Sequence, residues 1–126
     1  MKKLLFIFLL VYCPFAFCEN WKCVDGQYDL KYCIDIENIK DEGVYRTTWT
    51  KSIPLKEPIV EGAYEIRTLT SFDCNKKTLA HLSAVMYGKD KTILKEERSN
   101  KHPNYRPFAS TSVGEFFYGH ICDAPR

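Results

Sequence analysis

The chain has 126 residues with a formal net charge of +2, and 45% of its residues are hydrophobic. This length suits one domain and leaves no room for a second. Lys2 and Lys3 account for the entire net charge, so residues 19–126 are electrically neutral. A nucleic-acid-binding domain needs a strong basic excess on one face, and the composition therefore excludes nucleic acid as the expected partner.

The first 18 residues have the pattern of an export signal. Two lysines precede an apolar run at 4–12, and Ala16-Phe17-Cys18 offers small residues where a signal peptidase cleaves. The sequence therefore predicts a signal peptide at 1–18 and a mature domain at 19–126, exported to an oxidising compartment in which cysteines pair.

Two alternatives to this processing stay open. In a lipoprotein, Cys18 would be acylated after cleavage just before it, although the bulky Phe17 suits that processing poorly. A retained anchor would need about 20 apolar residues, whereas the run at 4–17 is shorter and contains Pro14. Association with a membrane is therefore expected only if Cys18 is lipidated.

Alternation of side-chain character along the mature domain predicts antiparallel strands with one buried face. The first two predicted strands, at 21–24 and 30–35, form a hairpin around Asp25-Gly26-Gln27. Cys23 and Cys33 lie on the two arms of this hairpin.

A third strand is predicted over 44–52. Tyr45, Thr47 and Trp49 lie on one of its faces, and Arg46, Thr48 and Thr50 lie on the other. The aromatic side chains predicted to fill the interior between sheet and helix are Trp49, Phe72, Phe116 and Phe117. The segment 53–62 contains two prolines and is predicted to be a loop or an irregular edge.

Three further strands are predicted at 63–74, 78–87 and 92–98, with turns at 75–77 and 88–91. Consecutive strands joined by short turns give a meander of about six strands. The predicted fold class is therefore α+β: an antiparallel sheet with a C-terminal helix packed on it, held by disulfides.

The helix is predicted from Ser112-Val113-Gly114-Glu115, which has the spacing of a capping box between Ser112 and Glu115. It runs over 113–121 and carries an apolar stripe of Val113, Phe117 and Ile121, with Phe116 beside it. Such an apolar stripe must be buried, and the predicted sheet is the surface on which it would pack.

The four cysteines of the mature domain allow three disulfide connectivities. Cys122 ends the predicted helix and is placed to bond Cys74 at the end of the longest strand. The remaining pair is then Cys23 with Cys33.

Catalytic and metal chemistry are not expected. No cysteines form a C-x₂-C pair, and His81, His102 and His120 are scattered, so no metal or cofactor site is predicted. His81 and Ser83 would share one face of a regular strand, but the chain has no G-x-S-x-G elbow and no group that would orient the histidine. The sequence therefore predicts a non-enzymatic protein.

Exposed contacts are predicted at three aromatic residues in turns or loops, namely Tyr28, Tyr105 and Phe108. Lys76-Lys77 and Lys89 with Lys91 occupy successive hairpin tips. Successive tips lie at opposite ends of a meander, so these lysines are not expected to form one basic patch and are interpreted as solvated turns.

A series of short motifs runs in order along residues 21–122. They are Trp21, Tyr32-x-x-Asp35-x-x-x-Ile39, Tyr45-Arg46-Thr47-Thr48-Trp49, Ser71-Phe72-Asp73-Cys74, Leu82-Ser83, Tyr87, Pro107, Ser112-Val113-Gly114-Glu115 and Cys122. In this order and spacing they resemble the surface-adhesin protein E family, small exported or lipid-anchored domains of Gram-negative bacteria. The resemblance implies an antiparallel sheet with a C-terminal helix, a bond between Cys74 and Cys122, and a tendency to form dimers.

The same resemblance implies binding of host proteins such as vitronectin, laminin or plasminogen. The expected function is therefore an adhesin-like envelope module that binds host matrix or plasma proteins, located in the periplasm or at the outer membrane and cell surface. A periplasmic inhibitor, or an accessory protein that contacts another envelope protein, is the alternative. The chain departs from the family pattern by Cys23 and Cys33 and by the poor lipoprotein signal before Cys18.

Overall fold

A computed structural model describes residues 19–26, 29–56, 58, 62–98, 101–107 and 112–123. The predicted signal peptide, including Cys18, lies outside these residues. The elements in chain order are β1 (Trp21–Asp25), β2 (Leu30–Asp35), β3 (Lys40–Glu42), β4 (Tyr45–Pro54), β5 (Glu65–Asp73), β6 (Thr78–Tyr87), β7 (Ile93–Glu97), β8 (Arg106–Pro107) and α1 (Ser112–Ile121).

The strands form one antiparallel sheet in the order β1-β2-β4-β5-β6-β7, with β3 added beside β4 and β8 beside β6. The predicted α+β meander with a C-terminal helix is therefore confirmed. Its two extra strands, β3 and β8, are three and two residues long, too short to show an alternating pattern. The predicted loop at 53–62 starts late, because β4 continues to Pro54, which pairs with Leu30.

Cross-strand pairing defines two faces of the sheet, because residues directly opposite each other point to the same side. On the inner face Thr50 lies opposite Ile34 and Arg46 lies opposite Phe72. On the outer face Lys51 is flanked by partners on both neighbouring strands. Helix α1 packs on the inner face, where its apolar side chains complete the core.

The core consists of Ile34 and Phe72 from the sheet and Phe117 and Ile121 from α1. The rings of Phe72 and Phe117 meet edge to face, with centroids 6.4 Å apart. Phe117 and Ile121 are four residues apart and therefore share one side of the helix. The predicted apolar stripe is thus the surface that α1 buries.

Trp49 lies on the outer face, so the prediction that it fills the interior is wrong. The buried face of β4 is instead the polar one, because its groups find partners. The Thr48 hydroxyl donates to the carbonyl of Asp35 at 2.7 Å, and the hydroxyls of Thr50 and Thr70 are 3.1 Å apart. A hydrogen-bonded threonine ladder can thus occupy a core that alternation alone assigns to aromatic residues.

The C-terminal end of α1 is fastened to the sheet in two ways. Cys122 forms a disulfide with Cys74, with Cα atoms 5.6 Å apart. The buried guanidinium of Arg46 donates to the carbonyl of Ile121 and, at 3.5 Å, to that of Cys122. A cation at the carbonyl end of a helix also compensates the negative end of its dipole. Packing, covalent bond and charge therefore all act on the last turn of α1.

The second predicted disulfide, between Cys23 and Cys33, is also present. It joins directly opposite residues of β1 and β2, whose Cα atoms are 4.0 Å apart. Among the strands of the described residues, β1 is outermost and pairs with β2 alone. The bond therefore fixes the register of a short strand that otherwise has hydrogen bonds on one side alone.

The Asp35 motif has a structural explanation. Asp35 is 2% exposed, and its carboxylate accepts hydrogen bonds from the amide of Glu37 at 3.0 Å and from the side chain of Asn38 at 2.8 Å. A short carboxylate that bonds the backbone two residues later is typical of a turn. Asp35 therefore closes the turn that follows β2.

Helix α1 begins at Ser112, one residue before the predicted start. The Ser112 side chain lies outside the described side chains, and Glu115 is exposed in the first turn. The predicted capping box between these two residues stays a prediction.

Removal of the Cys74–Cys122 bond should release α1. We expect Cys74→Ser/Cys122→Ser to lose about 4 kcal/mol of unfolding free energy, because that bond closes a long loop. The matched Cys23→Ser/Cys33→Ser variant should lose about 3 kcal/mol. Urea denaturation measures both losses, and hydrogen exchange should show unprotected amides in α1 for the first variant only. Protected α1 amides in the first variant would contradict this role of the bond.

Gly26 provides a test of how the β1–β2 hairpin meets the helix. A Cβ atom there would lie 2.4 Å from the Tyr32 ring and 3.0 Å from Val113, so Gly26→Ala should cost about 1–3 kcal/mol. The control is Gly119→Ala, where a Cβ meets no atom within 4 Å. That change should stabilise the helix by about 0.5–1 kcal/mol. Equal melting temperatures for the two variants would refute the close approach.

Candidate functional site

The outer face carries a row of aromatic and charged side chains, which we name the strip. It consists of Trp21, Trp49, Lys51, Glu65, Arg67 and Tyr87. Within the β4, β5 and β6 strands its members occupy alternate positions, and the pairing sets Lys51 beside Arg67 and Glu65 beside Tyr87. The strip is therefore a direct product of strand alternation and register.

Trp21 is the centre of the strip. The Lys51 ammonium lies 4.1 Å from the centroid of its ring, and the Arg67 guanidinium lies 5.6 Å from it. Arg67 also lies 5.4 Å from the centroid of the Tyr87 ring. Cations within about 6 Å of aromatic faces are attracted by the ring quadrupole, so these contacts hold long side chains in place.

Two carboxylates orient the cations of the strip. The Nε of Arg67 donates to Glu65 at 2.7 Å, and Nη1 of Arg67 lies 3.7 Å from a Glu19 oxygen. The Trp21 indole N–H donates to the other Glu19 oxygen at 2.8 Å. Because each group has a partner before any ligand arrives, little ordering of these side chains is left for binding.

The surroundings shift the pKa of two strip cations in opposite directions. Partial burial lowers the pKa of Lys51, and Arg67 adds to this effect while Glu65 opposes it. For Arg67, burial acts to lower the pKa, but the hydrogen bond and charge of Glu65 outweigh it and raise the pKa. Both side chains therefore sit in a partly dehydrated environment, where charge interactions are stronger than in water.

Two open hollows adjoin along the strip. The larger, which we name the basin, has a volume of about 330 Å³ and is lined by Lys51, Glu65, Arg67, Tyr87, Lys89 and Lys91, among others. The smaller, which we name the trough, has a volume of about 120 Å³ and is lined by Glu19, Trp21, Trp49, Arg67, Val85 and Tyr87. Arg67 and Tyr87 line both hollows, so one ligand can occupy the two together.

Lys89 and Lys91 come from the turn between β6 and β7, and Lys91 adopts a left-handed backbone with φ of 65°. Sequence reasoning interpreted this turn as solvated, separate from the Lys76-Lys77 turn. Lys89 and Lys91 are exposed, as interpreted, and the structure also places them at the same hollow as Lys51 and Arg67 of neighbouring strands. The i, i+2 spacing of the strip residues along their strands is visible in the sequence. It predicts a shared surface only when the register between the strands is known.

Of the three predicted aromatic contacts, Tyr105 is among the described residues. Tyr105 is half-buried, its hydroxyl is 2.8 Å from that of Ser71, and its ring centroid is 5.4 Å from that of Tyr45. It does not line either hollow of the strip. Tyr28 and Phe108 lie outside the described residues. Contact by Tyr105 therefore stays a prediction.

His81 and Ser83 do not form a pair on one face, contrary to the expectation for a regular strand. The register of β5 and β6 shifts between them, so that Thr70 lies opposite His81 and Leu69 opposite Ser83. Thr70 and Leu69 are consecutive and point to opposite sides of the sheet. The extra residue, Leu82, is a β-bulge, and it places the two side chains on different faces.

The described part of the chain offers neither a metal-ligating cluster nor a membrane-spanning helix. No cluster of three or more His, Cys, Asp or Glu side chains there is arranged to hold a metal ion. No helix among those residues has the length and apolar character required to cross a bilayer.

A profile of surface-adhesin protein E matches residues 21–123, which include β1, α1 and both disulfides. The chain belongs to the surface-adhesin protein E family. No curated protein and no solved structure matches it. The name of the surface-adhesin protein E family suggests an exported, surface-associated adhesin.

His81 gives a pH-dependent test of the β6–β8 edge. His81 is exposed on β6, but desolvation by neighbouring atoms, aided by the positive charge of Arg106, lowers its pKa. The unfolded chain therefore binds a proton more readily than the folded one, so stability is complete above about pH 6.5 and falls as the pH decreases through that value toward the folded pKa.

We expect NMR titration to give His81 a pKa below the ordinary value and Arg106→Gln to raise it. His81→Gln should flatten the decrease in melting temperature on acidification. A His81 pKa that is unchanged by Arg106→Gln would show that the charge of Arg106 does not reach the ring.

Proposed function

We propose that this member of the surface-adhesin protein E family is a non-enzymatic, adhesin-like envelope module that binds host extracellular-matrix or plasma proteins through the strip. The observation that carries the proposal is the strip itself. It combines tryptophan, tyrosine and arginine, the residue types that dominate binding hot spots, on a face that α1 leaves uncovered.

The two faces of the sheet differ in a way that supports the proposal, since one is covered and the other is accessible. The inner face is occupied by α1 and its polar groups are bonded internally. On the outer face, Arg67 is 31% exposed and Glu65 24% exposed, so both are held by neighbours yet accessible. Side chains ordered before binding lose less entropy on association than free ones.

The exported state rests on the predicted signal peptide at 1–18 and on the two disulfides, which suit an oxidising compartment. Lipidation at Cys18 would tether the module to a membrane, whereas cleavage after Cys18 would release it. The resemblance also implies dimers, and β7, an edge strand with exposed Ile93 and Leu94, offers a place for a second copy.

The alternative is a periplasmic inhibitor or an accessory protein that contacts another envelope protein. The poor lipoprotein signal before Cys18 favours it, because a protein without a lipid need not be held at the cell surface. The same strip would then bind an envelope partner. Protease treatment of intact cells separates the two: digestion supports the adhesin, and protection supports the periplasmic role.

Binding should depend on the strip. We expect Trp21→Ala/Lys51→Ala to weaken binding to immobilised vitronectin, laminin or plasminogen by about tenfold or more, since an aromatic anchor and its cation are removed. The measurement is surface plasmon resonance with the full-length gene product purified from the bacterial envelope.

The matched control is Lys77→Ala/Tyr118→Ala, which removes another cation–aromatic pair, 5.4 Å apart, away from the strip. Melting temperatures establish that both variants fold. Equal loss of binding in the two folded variants, or no binding by the parent protein to any of the three host proteins, would overturn the assignment.

A further inference from the structure

We propose that the strip recognises an acidic sugar, specifically the carboxylate- and sulfate-bearing chains of host matrix glycosaminoglycans. This inference rests on the proposed function, because it names the chemistry of the partner at the same surface. One sugar ring would lie in the trough and its anionic substituent in the basin.

The charge of the basin favours an anion. Four cations line it, namely Lys51, Arg67, Lys89 and Lys91, against the single carboxylate of Glu65, which already bonds Arg67. Among the described residues, the three lysines form no direct ion pair. Apart from the contact of Lys51 with the Trp21 ring, their ammonium groups therefore remain available for a ligand oxygen, in charge-assisted hydrogen bonds that are stronger than neutral ones.

The carboxylates of the strip argue for a ligand that also donates hydrogen bonds. Glu65 and Glu19 lie at the basin and the trough, where they would repel a purely anionic segment such as an acidic peptide. A sugar brings hydroxyl donors together with its anionic group. Its hydroxyls can bond the carboxylates while its sulfate or carboxylate bonds the lysines.

The aromatic side chains supply the third element of sugar recognition. Trp21, Trp49 and Tyr87 line the trough, next to the aliphatic Val85. Aromatic faces carry negative charge density and attract weakly polarised C–H groups, which cover one face of a pyranose ring. An acidic peptide or a free phosphate would gain nothing from this part of the strip.

The form of the site suits a chain rather than an enclosed small molecule. The basin is close to the lower end of the range of about 300–1,000 Å³ for ligand pockets, but it is open and continues into the trough through Arg67 and Tyr87. A polysaccharide can therefore enter and leave along the strip. The neutral charge of residues 19–126 limits attraction to this local cluster.

The protein contains its own reporter for this site. Its two tryptophans, Trp21 and Trp49, both line the trough, so selectively excited tryptophan fluorescence reports on the strip. We expect a heparin hexasaccharide and a hyaluronan hexasaccharide to change this fluorescence in a saturable manner. A neutral chitin hexasaccharide, a poly-glutamate peptide and inorganic phosphate should not.

Variants at two hairpin tips separate the site from general positive charge. Lys89→Gln/Lys91→Gln should weaken heparin hexasaccharide binding by about tenfold, as expected for the loss of two charged contacts. The matched control is Lys76→Gln/Lys77→Gln, which removes the same charge from another turn and likewise includes one residue of positive φ, Lys77 at 54°. Its affinity should equal that of the parent protein.

Four results would overturn the inference. They are equal weakening in both lysine variants, binding of the neutral sugar as tightly as the acidic ones, binding of the poly-glutamate peptide, and preference for an inner-core oligosaccharide of bacterial lipopolysaccharide over both host sugars. The sugar specificity and the proposed adhesin function can fail independently of each other. If a host protein stripped of its acidic glycans still binds the parent but not Trp21→Ala/Lys51→Ala, the adhesin stands and the sugar specificity falls.

Discussion

The attachment of the last turn of α1 to the sheet is the constraint on which the rest of the structure depends. The disulfide between Cys74 and Cys122 and the hydrogen bonds from Arg46 act within one turn of each other. They seat Phe117 against Phe72 and thereby decide which face becomes the core. A helix of ten residues is too short to be stable alone in water, so its formation and its docking are one event.

Docking of α1 on the inner face determines what the outer face can do. Arg46, Thr48 and Thr50 are enclosed because the helix end and the neighbouring strands satisfy their polar groups. The alternate residues of the same strand, among them Trp49 and Lys51, are therefore directed away from the helix. The aromatic strip is therefore exposed because the polar residues of β4, and not its aromatic ones, lie on the inner face.

The six strands of the meander, their order and the helix could be predicted because each has a local signal, either alternation, a turn residue or an apolar stripe, whereas β3 and β8 are too short to carry one. The inner face of β4 could not, since its residues are polar while the outer face carries Tyr45 and Trp49. The polar side chains are buried because partners distant in sequence, such as Asp35 and the carbonyl of Ile121, satisfy them. The bulge at Leu82 has no sequence signature either. The strip was missed for the same reason, because its members come from separate strands and meet only through register.

The disulfide between Cys23 and Cys33 acts on the strip. Cys33 lies between Cys23 on one neighbouring strand and Lys51 on the other, and Trp21 stands two residues from Cys23 on the same face. The bond therefore locks β1 in the one register that sets the Trp21 ring against the Lys51 ammonium. A slip of one residue would turn Trp21 to the opposite side of the sheet. The extra covalent link thus gives a short outermost strand the positional precision that a preorganised binding surface requires.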